Sequence, residues 1–313
     1  MLTARILPHV PDPDAPGAMG LDDGVFTAAL RAVAARHGLD LAGAARMPYG
    51  SSPVFATDAL AVKIVPPKWV PELARETVAL ERAHGRLPVR TPGVIATGAL
   101  DDWRYLVSER LHGTPARDLL PTLTERERVD LAGALGAALA ALHRVPCDDL
   151  PTLTVDWEAF AQERVAACAA FQRKYGVEDE ALAALPELLT DAAPLVPDAR
   201  RVLMHADLHH EHALLEQRGG AWALTGIIDF GDAAVGHPDY ELVTPVFLVV
   251  KDHREALRAF FDAAGFRCDE RASRRLMAWS AMHRFNALSR YLPAPRGADA
   301  LERIRARYWP VLA

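Results

Sequence analysis

The chain has 313 residues, half of them hydrophobic and 24% charged, a composition that argues against a disordered, fibrous or membrane-embedded class and supplies enough apolar material for a sizeable core. At about 100–200 residues per domain, the length predicts two lobes with a cleft between them. The net charge of −6 is concentrated: residues 151–250 hold 16 acidic and 6 basic side chains, a local balance of −10, which argues against a nucleic-acid partner and suits a cationic ligand.

The opening MLTARILPHVPDPDAPG interrupts any apolar stretch with prolines and aspartates, so no export signal is expected. The apolar runs LAGALGAALAALH and VTPVFLVV fall short of the roughly 20 residues that cross a bilayer, so no membrane span is expected. Cys147, Cys168 and Cys268 are odd in number and lack metal-type spacing; they read as reduced thiols, and with them a cytoplasmic location.

In chain order, residues 21–37 place Val25, Leu30 and Val33 at helical spacing behind Asp22 or Asp23. From Ala45 to Val65, a Gly-Ser-Ser turn and a Thr-Asp turn separate β-rich runs, which predicts antiparallel strands. Pro71 suits the first turn of a helix that carries Glu76 and stops at Gly85. Two strands around Asp101-Asp102 follow, then a connector ending at Gly113. Residues 1–107 therefore read as a small β-rich lobe, 108–113 as a hinge and 114–313 as a larger lobe. Leu131, Leu135, Ala138 and Leu142 share one face of a core helix there, and residues 157–190 and 252–308 read as mostly helical.

Residues 202–242 carry the chemistry. Ala213–Glu216 and Trp222–Ile228 read as a hairpin turning at Arg218-Gly219-Gly220, which brings His205, Asp207 and His212 at one end close to Asp229 at the other. Phosphoryl transfer needs a group that orients the attacking hydroxyl, and cations, held by carboxylates or similar ligands, that neutralise the phosphates. Asp207 suits the first task. Asp229 and His212, five residues after Asp207, suit the second by holding Mg²⁺ against a nucleotide.

His205-Ala206-Asp207 and Asp229-Phe230-Gly231-Asp232 resemble the catalytic loop (His-x-Asp-x-x-x-x-Asn) and the metal turn of the aminoglycoside phosphotransferase family, a branch of the protein-kinase-like fold. His212 stands where that loop has asparagine, and the resulting HxDxxxxH is similar to the macrolide-phosphotransferase branch. The resemblance implies an α+β bilobal fold, Mg²⁺, and ATP or GTP as co-substrate. It also implies His205 as support of the catalytic loop and, from HPDY at 237–240, Asp239 as the residue that braces it. Lys63, in the apolar strand ALAVKIV, is expected to reach the inner phosphates and Glu76 to hold Lys63. The turn Gly50-Ser51-Ser52 resembles the loop over the phosphates, with backbone N–H groups as donors. Glu109, Arg110 and Leu111 match the linker whose backbone pairs with the purine.

The acceptor implied is a hydroxyl of an aminoglycoside or macrolide antibiotic, with resistance as the outcome, and the alternative is a metabolite such as choline, homoserine or a sugar. Asp156, Glu158, Glu163 and Glu187 are candidates to bind ammonium groups, and Trp279, Phe285 and Tyr291 to line an apolar pocket. A monomer or homodimer is expected. Two other readings compete. The four histidines of HADLHHEH also suit a hydrolytic metal site, which would leave Lys63, Glu76 and the IDFGD turn without a role. A nucleotide-binding module without catalysis would tolerate His212 and the sparse glycines, but Lys63, Glu76, Asp207 and Asp229 together favour an enzyme.

Overall fold

The computed structural model describes residues 5–15, 19–48, 50–191, 200–291 and 297–312. Parts of the Pro-rich start (1–4 and 16–18) and of the helical 252–308 stretch (292–296) lie outside the described residues. The fold is α+β, as expected.

Helix α1 (Asp23–His37) begins where the Asp22 carboxylate accepts the Gly24 N–H, and ends at Gly38 in the left-handed region. It packs Phe26, Ala29, Leu30 and Val33 onto an antiparallel sheet. The strands are β1 (Ala45–Arg46), β2 (Val54–Ala56), β3 (Leu60–Val65), β4 (Val94–Leu100) and β5 (Trp103–Glu109), in the order β1-β2-β3-β5-β4. Alternation along β3 turns Val62 and Ile64 into a core with Phe26, Phe55 and Trp103, and so turns Lys63 to the opposite face. Helix α2 (Val70–Ala83) lies between β3 and β4 in sequence, with Pro71 in its first turn. Leu73, Glu76, Leu80 and Ala83 share one buried stripe, so Glu76 is held among apolar neighbours.

The rest of the chain is mainly helical. After β6 (Thr114–Pro115) and α3 (Ala116–Leu119), α4 (Glu125–Leu142) opens on a capping box between Thr124 and Glu127 and buries Leu131, Leu135, Ala138 and Leu142. Helices α5 (Trp157–Lys174), α6 (Asp179–Leu182) and α7 (Leu185–Asp191) follow, then β7 (Val202–Met204). The hairpin of β8 (Ala213–Arg218) and β9 (Ala221–Ile227) turns at Gly219-Gly220, whose φ values of 61° and 86° suit the tight turn. Next come β10 (Ala234–Gly236), α8 (Pro238–Pro245), a π-helical turn at Val246–Val250, α9 (Arg254–Ala264), α10 (Glu270–Met282) and α11 (Ala300–Tyr308).

Two pairings escape the sequence. β6 adds a strand to the hairpin, giving the order β6-β8-β9, and β7 pairs with β10 on either side of it. These strands are two or three residues long, too short for a readable alternation. Helix α4 packs closely on α9, where a Cβ at Gly136 would lie 2.2 Å from the Phe260 carbonyl oxygen. The larger core also takes in Val65, Leu73, Leu80 and Leu106, so apolar contact is continuous from α2 into the helical part.

Candidate active site

Gly50, Ser51, Ser52 and Lys63 line one side of a cleft of about 230 Å³, and Asp207, His212, Asp229 and Asp232 line the other. The elements behind these walls explain their positions. Lys63 is carried by the outward phase of β3. Asp229 follows β9, which the connector after α2 holds in register: Arg90 donates its N–H to the Thr225 carbonyl at 2.9 Å, and Ile227 donates to the Arg90 carbonyl at 2.9 Å. The Ile228 N–H to His212 carbonyl bond, 3.0 Å, closes the hairpin base and joins the two motifs.

The Lys63 ammonium donates to Glu76 Oε2 at 2.8 Å and to Asp229 Oδ1 at 3.1 Å. Burial alone would favour loss of its proton, but the two carboxylates outweigh that and hold the pKa above the usual lysine range. Burial likewise works against charge on Asp229, and Lys63 and His212 outweigh it, leaving this carboxyl well below the usual range. Glu76 shifts upward because it is buried, with Lys63 opposing. The Asp229 side chain stays 42% exposed and open to the cleft.

Asp207 behaves oppositely. Burial, then the nearby Asp232 and Asp229 carboxylates, push it up to about 8, while Arg284 pulls it down. Arg284 forms an ion pair with Asp232, tying the metal turn to the segment after α10. Ala206 and Asp229 both have φ of 64°, in the left-handed region that non-glycine residues seldom adopt. Nothing in the sequence marks Ala206 for that conformation.

The histidines divide by their hydrogen bonds. His212 Nδ1 donates to the Asp207 carbonyl at 2.9 Å, which turns its Nε2 toward Asp229 Oδ2, 3.5 Å away. With its hydrogen released, that nitrogen and that carboxylate fit a divalent cation. His209 Nδ1 accepts the Glu211 N–H at 3.1 Å, so its Nε2 carries the hydrogen and points to Asp207 Oδ2 at 3.6 Å. The two rings pack against each other with centroids 3.8 Å apart and planes tilted by 35°. Burial, with the neighbouring histidines, holds His209 down to about 3 and therefore neutral. His205 is fully buried, bonds the Ile228 carbonyl through Nε2 at 3.0 Å and packs on Phe230. Asp207, His209 and His212 come close enough to chelate a metal, but the His209 tautomer presents a hydrogen rather than a lone pair. That removes the third ligand a hydrolytic metal centre needs.

Several expectations require correction. Asp239, expected to brace the catalytic loop, is instead paired with Arg275. The carboxylate that reaches the loop is Glu241, whose Oε2 accepts the Ala206 N–H at 3.1 Å. The linker expectation is narrowed rather than overturned: Glu109 and Arg110 donate their N–H groups to Gly93 (2.9 Å) and Ala59 (2.8 Å), so any pairing of these two with a purine falls to their carbonyl oxygens. Trp279 is fully buried beside Trp157 and Tyr240, and cannot line a pocket. Tyr291 packs on Phe247, while Phe285 is 45% exposed beneath the Arg284 guanidinium. The four acids do not converge: Asp156 caps α5, Glu187 pairs with Arg274, and Glu158 and Glu163 are exposed. Glu211, to which the sequence assigns no role, pairs with Arg117 at the cleft. Among the described residues no helix is long and apolar enough to cross a membrane.

Comparison with known proteins places this geometry. Residues 48–279 match the model of the phosphotransferase enzyme family known as APH. Viomycin phosphotransferase of Streptomyces vinaceus is 27% identical, over 73% of this chain and 82% of that protein. The GDP complex of aminoglycoside 2'-phosphotransferase-IIIa superposes with a TM-score of 0.70 at 16% identity, covering 91% of this chain and 99% of that one. Macrolide 2'-phosphotransferase type I gives 0.58 at 20% identity, covering 94% and 99%.

Proposed function

The chain belongs to the phosphotransferase enzyme family, and from that premise we propose that it transfers the γ-phosphate of ATP or GTP to a hydroxyl of an antibiotic of the aminoglycoside or macrolide type, conferring resistance. The observation that carries this reading is the ion bridge at Lys63. One ammonium touches both Glu76 and Asp229, across a cleft whose far wall presents Asp207. A plain structural salt bridge would need neither the open carboxylate of Asp229 nor a second, proton-hungry carboxyl facing it.

In this reading residues 1–107 form the nucleotide lobe, 108–113 the hinge and 114–313 the lobe that holds the acceptor. Lys63 binds the inner phosphates, and Glu76 keeps the ammonium oriented and charged. Gly50, Ser51 and Ser52 cover the phosphates. The Leu111 N–H is the linker donor left for the purine edge. Asp229 and His212 would hold Mg²⁺, which when bound neutralises charge on the phosphates. Asp207 accepts the hydroxyl proton or aligns the hydroxyl for attack. Glu241 and His205 fix the loop that presents Asp207, one through the Ala206 N–H and the other through the Ile228 carbonyl. Phe285, with Arg284 stacked on it beside Asp232, forms an apolar wall at the acceptor end. The protein acts in the cytoplasm as a monomer or homodimer.

Purified protein with Mg²⁺ and ATP or GTP should add about 80 daltons, one phosphoryl group, to an antibiotic in a mass-spectrometric panel of aminoglycosides, macrolides and viomycin. Asp207→Ala should abolish the gain. Transfer only to choline, homoserine or a sugar would replace the antibiotic reading, and nucleotide binding without transfer to anything would remove the enzymatic one.

A further inference from the structure

His209 lies at the cleft beside the residues just assigned, yet neither the motif nor the nucleotide-binding machinery gives it a task. Its geometry is tightly specified. The Glu211 backbone N–H can only donate, so Nδ1 accepts and the ring hydrogen sits on Nε2. That hydrogen faces Asp207 Oδ2 across 3.6 Å. The ring cannot swing away freely, because it packs with its centroid 3.8 Å from that of His212, itself pinned by its Nδ1–H to the Asp207 carbonyl. The His209 main chain is held as well: its N–H bonds the Asp207 carbonyl at 2.9 Å and its carbonyl accepts the His212 N–H at 3.0 Å. Only 17% of the side chain is exposed.

We propose that His209 is a positioning residue for the catalytic base: its Nε2–H holds one carboxylate oxygen of Asp207, leaving the other to engage the acceptor hydroxyl. The two packed imidazoles thus take different tasks, His212 turning Nε2 toward Asp229 and His209 a hydrogen toward Asp207. A carboxylate with a fixed rotamer meets its hydroxyl in one orientation, and a contact of 3.6 Å needs only a few tenths of an ångström to become a hydrogen bond. The inference rests on the kinase reading, because it needs Asp207 to be the group that meets the acceptor.

The test compares His209→Gln, which keeps an N–H near the Nε2 position, with His209→Leu, which keeps the bulk and removes the donor. Steady-state phosphoryl transfer is measured for both alongside thermal unfolding. His209→Leu should lower kcat by about 10- to 100-fold with both KM values within about twofold, and His209→Gln should recover to within about threefold of wild type. Should His209→Leu fail to fold, His209→Ala takes its place. Equal rates in all variants, equal losses in Gln and Leu, or a loss confined to nucleotide KM or to the Mg²⁺ requirement would overturn the inference while wild-type transfer keeps the kinase reading intact. Unfolding of all three variants would make His209 structural and overturn it too. Absence of transfer by the wild-type protein would instead fell the kinase reading, and this inference with it.

Discussion

Lys63 reaches the cleft from a strand whose neighbours β2 and β5 come from either side of it in sequence, and its partners are 13 and 166 residues away. Asp207, His209 and His212 sit within six consecutive residues and are held by bonds among themselves and to Glu211. One wall is thus a long-range agreement between a strand, a helix and a hairpin; the other is a loop folded largely on itself and footed on Glu241 and Ile228. The contrast teaches that damage to the first wall should spread into stability and nucleotide binding together, whereas damage to the second should stay in the chemical step.

The sharpest way to break the contrast is at Asp207. Asp207→Asn should lower kcat by about 10²- to 10⁴-fold, the range for loss of a general base, with the nucleotide KM little changed. A parallel rise in nucleotide KM, measured under steady state, would mean that the two walls do not act separately. Lys63→Met should lower kcat/KM for nucleotide by at least about tenfold, because the phosphates lose their ammonium. It should also lower unfolding free energy by about 3 kcal/mol, the lower end of the range for breaking a buried ion pair, since Glu76 is left among Leu73, Leu80 and Ala83. A denaturant titration gives that figure directly.

The support beneath the loop gives a smaller effect. Glu241→Ala leaves the buried Ala206 N–H without its acceptor, a cost of about 1–3 kcal/mol, and should lower kcat as the loop loosens. Asp239→Asn, two residues earlier on the same helix, should cost stability through Arg275 with kcat retained. Reversal of that pattern would restore Asp239 as the brace.

A test of a different kind lies in the pH dependence of ligand-free stability. Burial and the adjacent carboxylates push Asp207 up to about 8 in the folded chain, against an ordinary value of 3.8. The folded state therefore holds a proton that the unfolded state releases. This group's contribution to stability is full below pH 3.8 and is lost as pH rises toward 8. Asp207→Asn, which cannot ionise, should gain on wild type in thermal midpoint between pH 5 and pH 8.5. A gap that does not widen over that interval would show that Asp207 ionises at its ordinary value.

The amino-acid sequence alone made the α+β class legible, together with the antiparallel strands around Lys63, the helix bearing Glu76, and the hairpin that brings Asp229 back toward Asp207. Each rests on local chemistry: β3 alternates, Pro71 opens a helix, and Gly219-Gly220 closes a two-residue turn. Tertiary structure decided the rest. Residues 239 and 241 are two steps apart on α8, and at about 100° per residue they face nearly opposite ways, so only packing determines that Asp239 meets Arg275 while Glu241 meets the catalytic loop. The same holds for the Glu109 and Arg110 amides, taken by the residues that lead into β4 and β3, for Trp279, closed into an aromatic core, and for the His209 hydrogen, assigned by a backbone amide two residues on. Residue type fixes what a group can donate or accept; its partner is chosen by where the folded chain brings the next group within about 3 Å.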